Sequence, residues 1–501
     1  IKRVEILSAL QEQRPGLPEV RPEHLGRLST LESIVVLLSG DTTDQTTSPQ
    51  AGEPASTTID PSRAAEELLM RQPRAVLLGE TPTPRQGHQR GTHLGILCDD
   101  TRFLAVLKQN WEADNIHLNT LSATARPDTS ELARLDGLVL IAPAHGTCGA
   151  WLRSAFLWAR EAGRAWKDRP RERRPLLLGV SRLDGCFGLA PNASDSAFQF
   201  DAVSGGLAGL IKCAKREWPE VDCRVVDLDP SLVDTDPARA ARRLVEEAGH
   251  EGPIEVGLRQ EGRYGIELAT VPTSPEQSDR NRFPLNSQDV VIITGGARGV
   301  TAEVAFELAR TIRPTLVLLG RTPEPGPEPT WLQSLKDESQ IKRALAQRLN
   351  GQTTPRKLAD QTQTLLAQRE ARSNLERIAS TGARVLYRSV DLRDPQGLSH
   401  VLDEIREELG PIRGLIHGAG VLADRMILDQ TEEEFDRVVS TKVDGLENLL
   451  SKIGDELACL VLFSSSTARF GRAGQVSYAI ANEILNKIGC RESRRDSCPR
   501  V

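Results

Sequence analysis

The chain has 501 residues, a net charge of −6 and an isoelectric point near 5.9. This length predicts roughly three to four domain-sized units, and the lack of a basic surplus argues against nucleic acid as a partner. No apolar run approaches the ~20 residues of a membrane span, and the first residues lack a signal-peptide core. The eight cysteines form no Cys-x-x-Cys pair, which disfavours a metal site or disulfide framework and indicates a reduced, cytoplasmic protein.

The first 72 residues show little capacity to form a core. Residues 1–38 carry short helical patterns split by Pro18 and Pro22. Residues 39–72 open with a stretch rich in Thr, Ser, Gly, Pro and Gln, and they are predicted to be a flexible linker.

Residues 73–275 predict an α/β subdomain with a doubly wound parallel sheet, because apolar strands alternate with helical patterns. No Thr-Gly-x-x-x-Gly-x-Gly turn follows any of these strands, which favours a Rossmann-like subdomain without a nucleotide. The predicted strands are 75–79, 93–100, 137–143, 175–183 and 223–229.

Residues 276–501 predict a second Rossmann-like subdomain, which opens with a βαβ unit. A buried strand at 290–293 runs into a glycine-rich turn and a helix, and a second strand at 315–319 follows. Glycines let the backbone approach a pyrophosphate, and the free N–H groups of a helix start face it. The turn residues predicted to bind a dinucleotide are Thr294, Gly295, Gly296, Arg298, Gly299 and Val300.

The end of the second strand indicates which dinucleotide is bound. An NAD site usually has an acidic residue there for the ribose, whereas this chain has Gly320 and Arg321. Together with Arg298, this guanidinium suits a 2′-phosphate and favours NADPH over NADH. The alternative is that both arginines are only solvated surface charges.

The segment 322–381 predicts an insertion with two mostly solvated, charged helices, arranged as an antiparallel hairpin in one interpretation. A role in docking a carrier or partner and a purely decorative role are both left open. The pattern then resumes with two strands that end at the same sheet edge. Asp391 and Leu392 close the first and are predicted to contact the adenine, while Gly418, Ala419 and Gly420 follow the second and approach the ribose. His417 is predicted to be a packed strand-end residue.

Four polar residues near the carboxyl end of the chain predict carbonyl reduction. Tyr478 at a helix start suits a general acid, and a nearby cation, Lys442, favours its proton transfer and binds the nicotinamide ribose. Ser465 follows a buried strand and would hold the carbonyl oxygen as charge grows on it. Asn482 lies four residues after the tyrosine, on the same helix face, and would hold a proton-relay water.

These residues carry a resemblance to a known family. The segment from Val290 onward resembles the ketoreductase domain of type I polyketide synthases, within the short-chain dehydrogenase/reductase superfamily, and is most similar to polyunsaturated-fatty-acid synthase-type multienzymes. The resemblance implies that Lys442, Ser465, Tyr478 and Asn482 are the catalytic set. Residues 204–229 resemble the cofactor-free structural half of such a ketoreductase.

The resemblance extends to the start of the chain and to its partners. Residues 1–38 resemble the last helices of an acyl carrier protein, whose phosphopantetheine serine would precede Ile1 and is absent from this chain. The resemblance implies NADPH as the cofactor and phosphopantetheine on a partner carrier. It also implies that the partners are other synthase domains in cis, and it is compatible with a homo-oligomer formed through the full-length synthase. The implied reaction is reduction of a 3-ketoacyl thioester.

The resemblance also implies a stereochemical outcome. Ketoreductases that make the (3R)-hydroxyl commonly carry Leu-Asp-Asp after the His-x-Ala-Gly turn, and this chain keeps the final aspartate as Asp424. The tryptophan typical of the opposite class would fall near Phe470. A (3R)-3-hydroxyacyl product is therefore expected.

Two departures from the family pattern are present. Thr301 stands where many dinucleotide turns have a third glycine, and its hydroxyl is expected to cap the helix. The chain ends at Val501, which in the family is the entry to the last sheet strand, so a truncation with doubtful activity is expected. The remaining alternatives are a non-catalytic scaffold that positions carriers and a free-standing dehydrogenase for small alcohols.

Overall fold

The computed structural model describes residues 70–79, 91–144, 148–169, 174–190, 200–271, 283–349, 354–495 and 501. The helices predicted in residues 1–38 and most of the predicted linker lie outside these ranges. The described chain forms two sheets, here assigned to a first subdomain (residues 70–271) and a second subdomain (residues 283–495). The predicted pair of Rossmann-like α/β subdomains is confirmed.

The first subdomain is an eight-stranded sheet with the order β1-β8-β7-β6-β5-β4-β2-β3. Its strands are β1 (Arg71–Leu77), β2 (Thr92–Cys98), β3 (Ile116–Leu121), β4 (Gly137–Ile141), β5 (Leu176–Ser181), β6 (Asp222–Leu228), β7 (Glu255–Arg259) and β8 (Gly262–Thr270). Six of them are parallel neighbours, whereas β8 pairs antiparallel with both β7 and β1. The predicted parallel sheet therefore carries an antiparallel edge, and β1 begins inside the last two residues of the predicted linker.

Helices cover both faces of this sheet, which is why β4 and β5 are buried along their whole length and read as continuous apolar runs. These helices are α1 (Thr101–Ala113), α2 (Thr129–Leu132), α3 (Gly149–Trp166), α4 (Gly206–Glu217), α5 (Pro230–Thr235) and α6 (Pro237–Gly249), with a 3₁₀ turn at Ala202–Gly205. Aspartates stabilise several of their starts. Asp100, for example, accepts the N–H of Phe103 at the start of α1.

The second subdomain is a five-stranded parallel sheet with the order β11-β10-β9-β12-β13. Its strands are β9 (Val290–Thr294), β10 (Thr315–Gly320), β11 (Val385–Ser389), β12 (Ile412–His417) and β13 (Cys459–Leu462). Its helices are α7 (Gly299–Thr311), α8 (Thr330–Gln333), α9 (Glu338–Arg348), α10 (Pro355–Ala379), α11 (Pro395–Leu409), α12 (Glu432–Val439), α13 (Gly445–Ile453), α14 (Ser466–Phe470) and α15 (Val476–Glu492). No helix in the described ranges is long and apolar enough to cross a membrane.

The predicted insertion contains α8, α9 and α10. Few residues of α10 are buried, in agreement with the predicted solvated helices, but Ile378 is fully buried against β9 and β10. The end of α10 is therefore the crossover helix of the β10–α10–β11 unit rather than part of an appendage. Arg369 of α10 also donates to the carbonyls of Leu332 and Leu335, which ties the α8 segment to this helix.

The two subdomains share one apolar core, because α4 of the first packs along α15 of the second. The helices approach closely at Gly209, where a methyl group would lie 2.6 Å from the backbone nitrogen of Ile480. A second contact is formed by the stacked rings of Phe156 and Phe435, with centroids 4.6 Å apart.

A buried ionic cluster crosses the same boundary. Lys212 of α4 bonds Glu255 of β7 at 2.8 Å and also bonds Glu483 of α15. Lys487 lies 3.4 Å from Glu483, and Arg469 of α14 pairs with Glu255. The ammonium and carboxylate groups of Lys212, Glu255 and Glu483 are at most 5% exposed. Because charges this buried require partners, the cluster fixes α15 against the first subdomain.

Candidate active site

The carboxyl end of β9 is the point at which the second sheet reverses its strand order, with β10 on one side and β12 on the other. Open α/β sheets bind ligands at such a switch point. A cavity of about 440 Å³ lies there. The site predicted from the glycine-rich turn and the strand ends is therefore a single cleft.

Most residues predicted to bind the dinucleotide line this cavity. They are Gly295, Arg298, Gly299, Gly320, Arg321, Asp391, Leu392, Gly418, Ala419 and Gly420. Lys442, the predicted ribose contact, and three turn residues do not line it. Thr294 and Gly296 are buried beneath the turn, and the Val300 side chain is 75% exposed on the outer side of α7.

A chain of hydrogen bonds connects the dinucleotide turn to Lys442. The Thr294 hydroxyl lies 3.0 Å from His417 Nδ1, and His417 Nε2 lies 3.0 Å from the Lys442 carbonyl. Because a carbonyl only accepts, Nε2 carries the proton and Nδ1 accepts from Thr294. The same hydroxyl accepts the N–H of Ala419 at 3.1 Å. The predicted packed histidine is thus fully buried and joins the ends of β9 and β12 to the Lys442 turn.

Burial and the charge of Lys442 lower the pKa of His417 to about 3, so this imidazole is neutral at physiological pH. A neutral ring can accept from one hydroxyl and donate to one carbonyl, as these two partners require. The structure gives His417 a positioning role at the strand end.

Lys442 lies in a π-helical turn, Ser440–Asp444, between α12 and α13. Such turns often occur at functional sites because the extra residue redirects a side chain. Its ammonium lies 5.9 Å from the centre of the Tyr478 ring, and a methyl group on Gly420 would be 3.5 Å from it. Burial lowers the pKa of Lys442 to about 8.

The other two predicted catalytic residues lie at the same sheet edge. Ser465 follows β13 and begins α14, where its hydroxyl accepts the N–H of Thr467 at 3.2 Å. Asn482 is fully buried, and its amide nitrogen donates to the Tyr478 carbonyl at 2.8 Å. Its side-chain oxygen has no hydrogen-bond partner among the described residues. The side-chain oxygen of Asn482 is therefore available as an acceptor, while its amide nitrogen is bound to a carbonyl of its own helix.

The polar groups of the cavity have partners that the sequence did not indicate. Both carboxylate oxygens of Asp391 are bound by the Arg393 guanidinium, which lowers the pKa of Asp391 to about 2. Tyr387 also lines the cavity and donates to the Thr322 carbonyl at 2.7 Å. Its hydroxyl occupies the space that a side chain at Gly320 would need, so the strand end requires glycine there.

Glu370 is a cavity residue that sequence reasoning missed. It belongs to α10, and its carboxylate accepts the N–H of Gly299, the first residue of α7, at 2.9 Å. Asn374, one turn further along α10, donates to the Ala297 carbonyl at 3.0 Å. One face of α10 therefore contacts the dinucleotide turn, a contact that no local pattern encodes because its partners lie more than 70 residues apart.

The expectation that Thr301 caps α7 is wrong. The residue at the cap position is Arg298, and its side chain does not bond the first N–H groups of the helix. Thr301 instead packs against Gly418, where a methyl group would lie 2.6 Å from its Cγ2 atom. The threonine in the first turn of α7 is accommodated by the glycine that follows β12.

Asp424, the predicted stereocontrol residue, is exposed in the segment between β12 and α12. Its carboxylate accepts from the Gln475 side chain at 3.1 Å, and Gln475 is the residue just before α15. Phe470, at the position of the tryptophan of the opposite class, is 51% exposed. Both residues lie beside the start of the Tyr478 helix.

Residues 290–499 match the KR domain family model. This region is a ketoreductase domain. The match begins at β9 and includes the dinucleotide turn, Lys442, Ser465, Tyr478 and Asn482. The resemblance of this segment to ketoreductase domains of type I polyketide synthases is thereby confirmed.

Curated relatives of the ketoreductase region are multidomain synthases. The chain is 33% identical over 330 residues to a polyunsaturated fatty acid synthase protein of Thraustochytrium sp., and the match covers 63% of this chain and 12% of that protein. It is 27% identical over 423 residues to pikromycin polyketide synthase component PikAII of Streptomyces venezuelae, covering 80% of this chain and 11% of that protein. The chain therefore spans only about an eighth of the length of either relative.

A solved structure titled as A-type ketoreductases from a modular polyketide synthase has the same fold. It aligns with a TM-score of 0.62 and 21% identity, over 85% of this chain and 80% of that one. The alignment includes most of the first subdomain as well as the second, so the pairing of two Rossmann-like subdomains is common to both.

Proposed function

We propose that the ketoreductase domain reduces a carrier-bound 3-ketoacyl thioester to the (3R)-3-hydroxyacyl thioester, with NADPH as reductant. The observation that carries this proposal is the position of the Lys442 ammonium, buried and 5.9 Å from the Tyr478 ring, at the edge of the sheet that holds the dinucleotide cavity. A cation, a phenol and a glycine-lined cleft at one edge are the requirements of nicotinamide-dependent ketone reduction.

The residues of the site have separate tasks in this reaction. The nicotinamide, when bound, supplies the hydride. Tyr478 transfers its hydroxyl proton to the oxygen of the reduced carbonyl, and the positive charge of Lys442 stabilises the phenolate that remains. The Ser465 hydroxyl donates a hydrogen bond to the carbonyl oxygen as negative charge develops there. The Asn482 side-chain oxygen, which has no hydrogen-bond partner among the described residues, accepts from a water. This water passes a proton from bulk solvent to the Tyr478 phenolate.

The charge of the cavity supports NADPH as the cofactor. Arg298 and Arg321 both line it, and a guanidinium binds a 2′-phosphate by charge and by paired hydrogen bonds. The negative charge of Asp391 in the cavity is offset by its ion pair with Arg393. We expect Arg321→Ala to raise the KM for NADPH about tenfold and to leave the KM for NADH nearly unchanged. Equal changes for both cofactors would contradict the assignment.

The substrate class rests on the relatives. The protein of Thraustochytrium sp. is named as a subunit of a polyunsaturated fatty acid synthase. The proposed partners are therefore carrier domains with phosphopantetheine and other synthase domains in cis.

The (3R) product is supported by Asp424, which is held beside the Tyr478 helix by Gln475, and by Phe470 in place of tryptophan. The test is chiral analysis of the alcohol formed from a 3-ketoacyl N-acetylcysteamine thioester and NADPH. The proposal expects the 3R isomer in large excess. A predominance of 3S would refute the stereochemical part, and no alcohol under any cofactor condition would refute the reaction.

A further inference from the structure

One carboxylate from the first subdomain joins the two loops that lie beside the reacting groups. Glu217 is the last residue of α4. Its Oε2 accepts the N–H of Ile427 at 2.7 Å, and its Oε1 accepts the N–H of Gly474 at 2.9 Å. These two bonds, here called the Glu217 bridge, connect parts of the chain that are more than two hundred residues away from Glu217 in sequence.

Each loop carries a residue of the site. Ile427 ends the segment that contains Asp424, and Gly474 precedes Gln475 at the start of the Tyr478 helix. The loops also bond each other, because the Arg425 N–H donates to the Gly474 carbonyl at 2.8 Å. The peptide groups on both sides of Gly474 are therefore fixed, one by Glu217 and the other by the Asp424 loop.

The bridge extends to the predicted catalytic serine through side chains. Gln475 donates to Asp424 at 3.1 Å and accepts from the Thr467 hydroxyl at 3.3 Å. The Thr467 N–H in turn donates to the Ser465 hydroxyl at 3.2 Å. A displacement of the Gly474 segment would thus move the residue that polarises the carbonyl and the residue linked to product configuration.

Local structure does not account for a glutamate at position 217. A carboxylate at the C-terminal end of a helix faces the negative end of the helix dipole. Burial raises the pKa of Glu217, and repulsion from Asp429 acts in the same direction. Both effects disfavour the charged form, whereas two backbone N–H groups from different loops favour it. The residue type is explained by the connection between the loops.

We propose that Glu217 is a positioning residue that sets the spacing between the Asp424 loop and the start of the Tyr478 helix, and thereby determines which face of the ketone is reduced. This inference rests on the proposed reductase function. Glu217 does not line the dinucleotide cavity, so we expect its replacement to leave cofactor binding nearly unchanged.

The test compares Glu217→Gln with Glu220→Gln, a matched change at an exposed glutamate three residues further on. The glutamine amide keeps one acceptor but presents N–H donors to the second loop. With a 3-ketoacyl N-acetylcysteamine thioester, Glu217→Gln should raise the KM about tenfold and lower the 3R to 3S ratio about tenfold. The affinity for NADPH should stay within about twofold of wild type. Glu220→Gln should match wild type in every measurement.

Amide hydrogen exchange supplies a readout that does not depend on turnover. In Glu217→Gln, at least one of the N–H groups of Ile427 and Gly474 should exchange faster, while the core of the second sheet keeps its protection. A folded Glu217→Gln variant with wild-type KM and product ratio would overturn the inference. If wild type itself does not reduce the thioester, the proposed function fails. The exchange data then test the Glu217 bridge by themselves. Unchanged exchange of both N–H groups in Glu217→Gln would overturn the bridge.

Discussion

The Lys442 ammonium lies in a position that water hardly reaches, and its burial explains why its pKa falls to about 8. The π-helical turn directs this side chain beneath the Tyr478 ring, and His417 holds the turn by its carbonyl. No carboxylate of the described residues forms an ion pair with this ammonium. The energetic cost of burying such a cation is more characteristic of catalytic than of structural lysines.

A pH dependence of the reaction follows from this burial. Because the proposed chemistry requires charged Lys442, we expect kcat/KM to fall as pH rises through about 8. Lys442→Met should lower kcat/KM at neutral pH about 100-fold. Profiles from about pH 6 to about pH 10 would measure this, with the exposed Lys452→Met as control. A flat profile across that pKa, or an equal loss in the control, would contradict the role of Lys442.

The lowered pKa of Lys442 affects stability in the direction opposite to its effect on activity. The unfolded chain keeps its lysine proton up to the ordinary pKa of 10.5, whereas the folded protein releases it near 8. The unfolded state therefore binds more protons between these values, and the contribution of Lys442 to the free energy of unfolding rises with pH in that window.

At the scale of elements, α10 joins the inserted segment to the dinucleotide turn. Glu370 and Asn374 lie one helical turn apart and bond successive parts of that turn, and Arg377 pairs with Glu303 of α7 at 2.7 Å. The carboxylate of Glu370 bonds the N–H at the start of α7, a position where dinucleotide folds bind pyrophosphate. We therefore expect this carboxylate to compete with the cofactor for the Gly299 N–H.

We expect Glu370→Gln to bind NADPH about fivefold more tightly, equivalent to ~1 kcal/mol, because it removes a negative charge from the phosphate position. Titration of NADPH fluorescence would measure the dissociation constant. Glu376→Gln, on an exposed face of the same helix, controls for the change in net charge. Unchanged or weaker binding in Glu370→Gln would show that the carboxylate does not compete.

The sequence predicted the elements with strong local signals and missed those defined by distant partners. The turn after β9 and the strand ends at Arg321 and Asp391 follow from short patterns, and the cavity contains them. β3, β7 and β8 were missed. Most residues of β3 and β8 are exposed or only partly buried, so no apolar run marks them. β7 is buried but short, and a glutamate, a glycine and an arginine interrupt its apolar residues. The π-helical turn and the Glu217 bridge depend on tertiary packing, which spacing along the chain does not encode.

At the scale of the whole molecule, the first subdomain serves as a support for α15. Packing of α4 at Gly209 and the ionic cluster around Lys212 fix the helix that carries Tyr478 and Asn482. Since the core and the charges are both shared, the two subdomains should unfold in one cooperative transition.

Lys212→Met tests this dependence. The change leaves Glu255 and Glu483 with one cation fewer in a buried site, so we expect it to lower the free energy of unfolding by about 3 kcal/mol. Urea denaturation followed by tryptophan fluorescence and by circular dichroism should show one transition, shifted equally for both probes. Lys215→Met, at a partly exposed position of the same helix, should have little effect. Two separate transitions would contradict the shared core.

The most direct test of the central claim is NADPH oxidation with a 3-ketoacyl N-acetylcysteamine thioester, measured for wild type and for Tyr478→Phe. The account predicts turnover in wild type, a loss of at least about 100-fold in the variant, and similar NADPH affinity in both, because only the proton donor is removed. Equal turnover in the two proteins would contradict the assignment of Tyr478 as the acid. NADPH binding without turnover in either protein would contradict the proposed reduction.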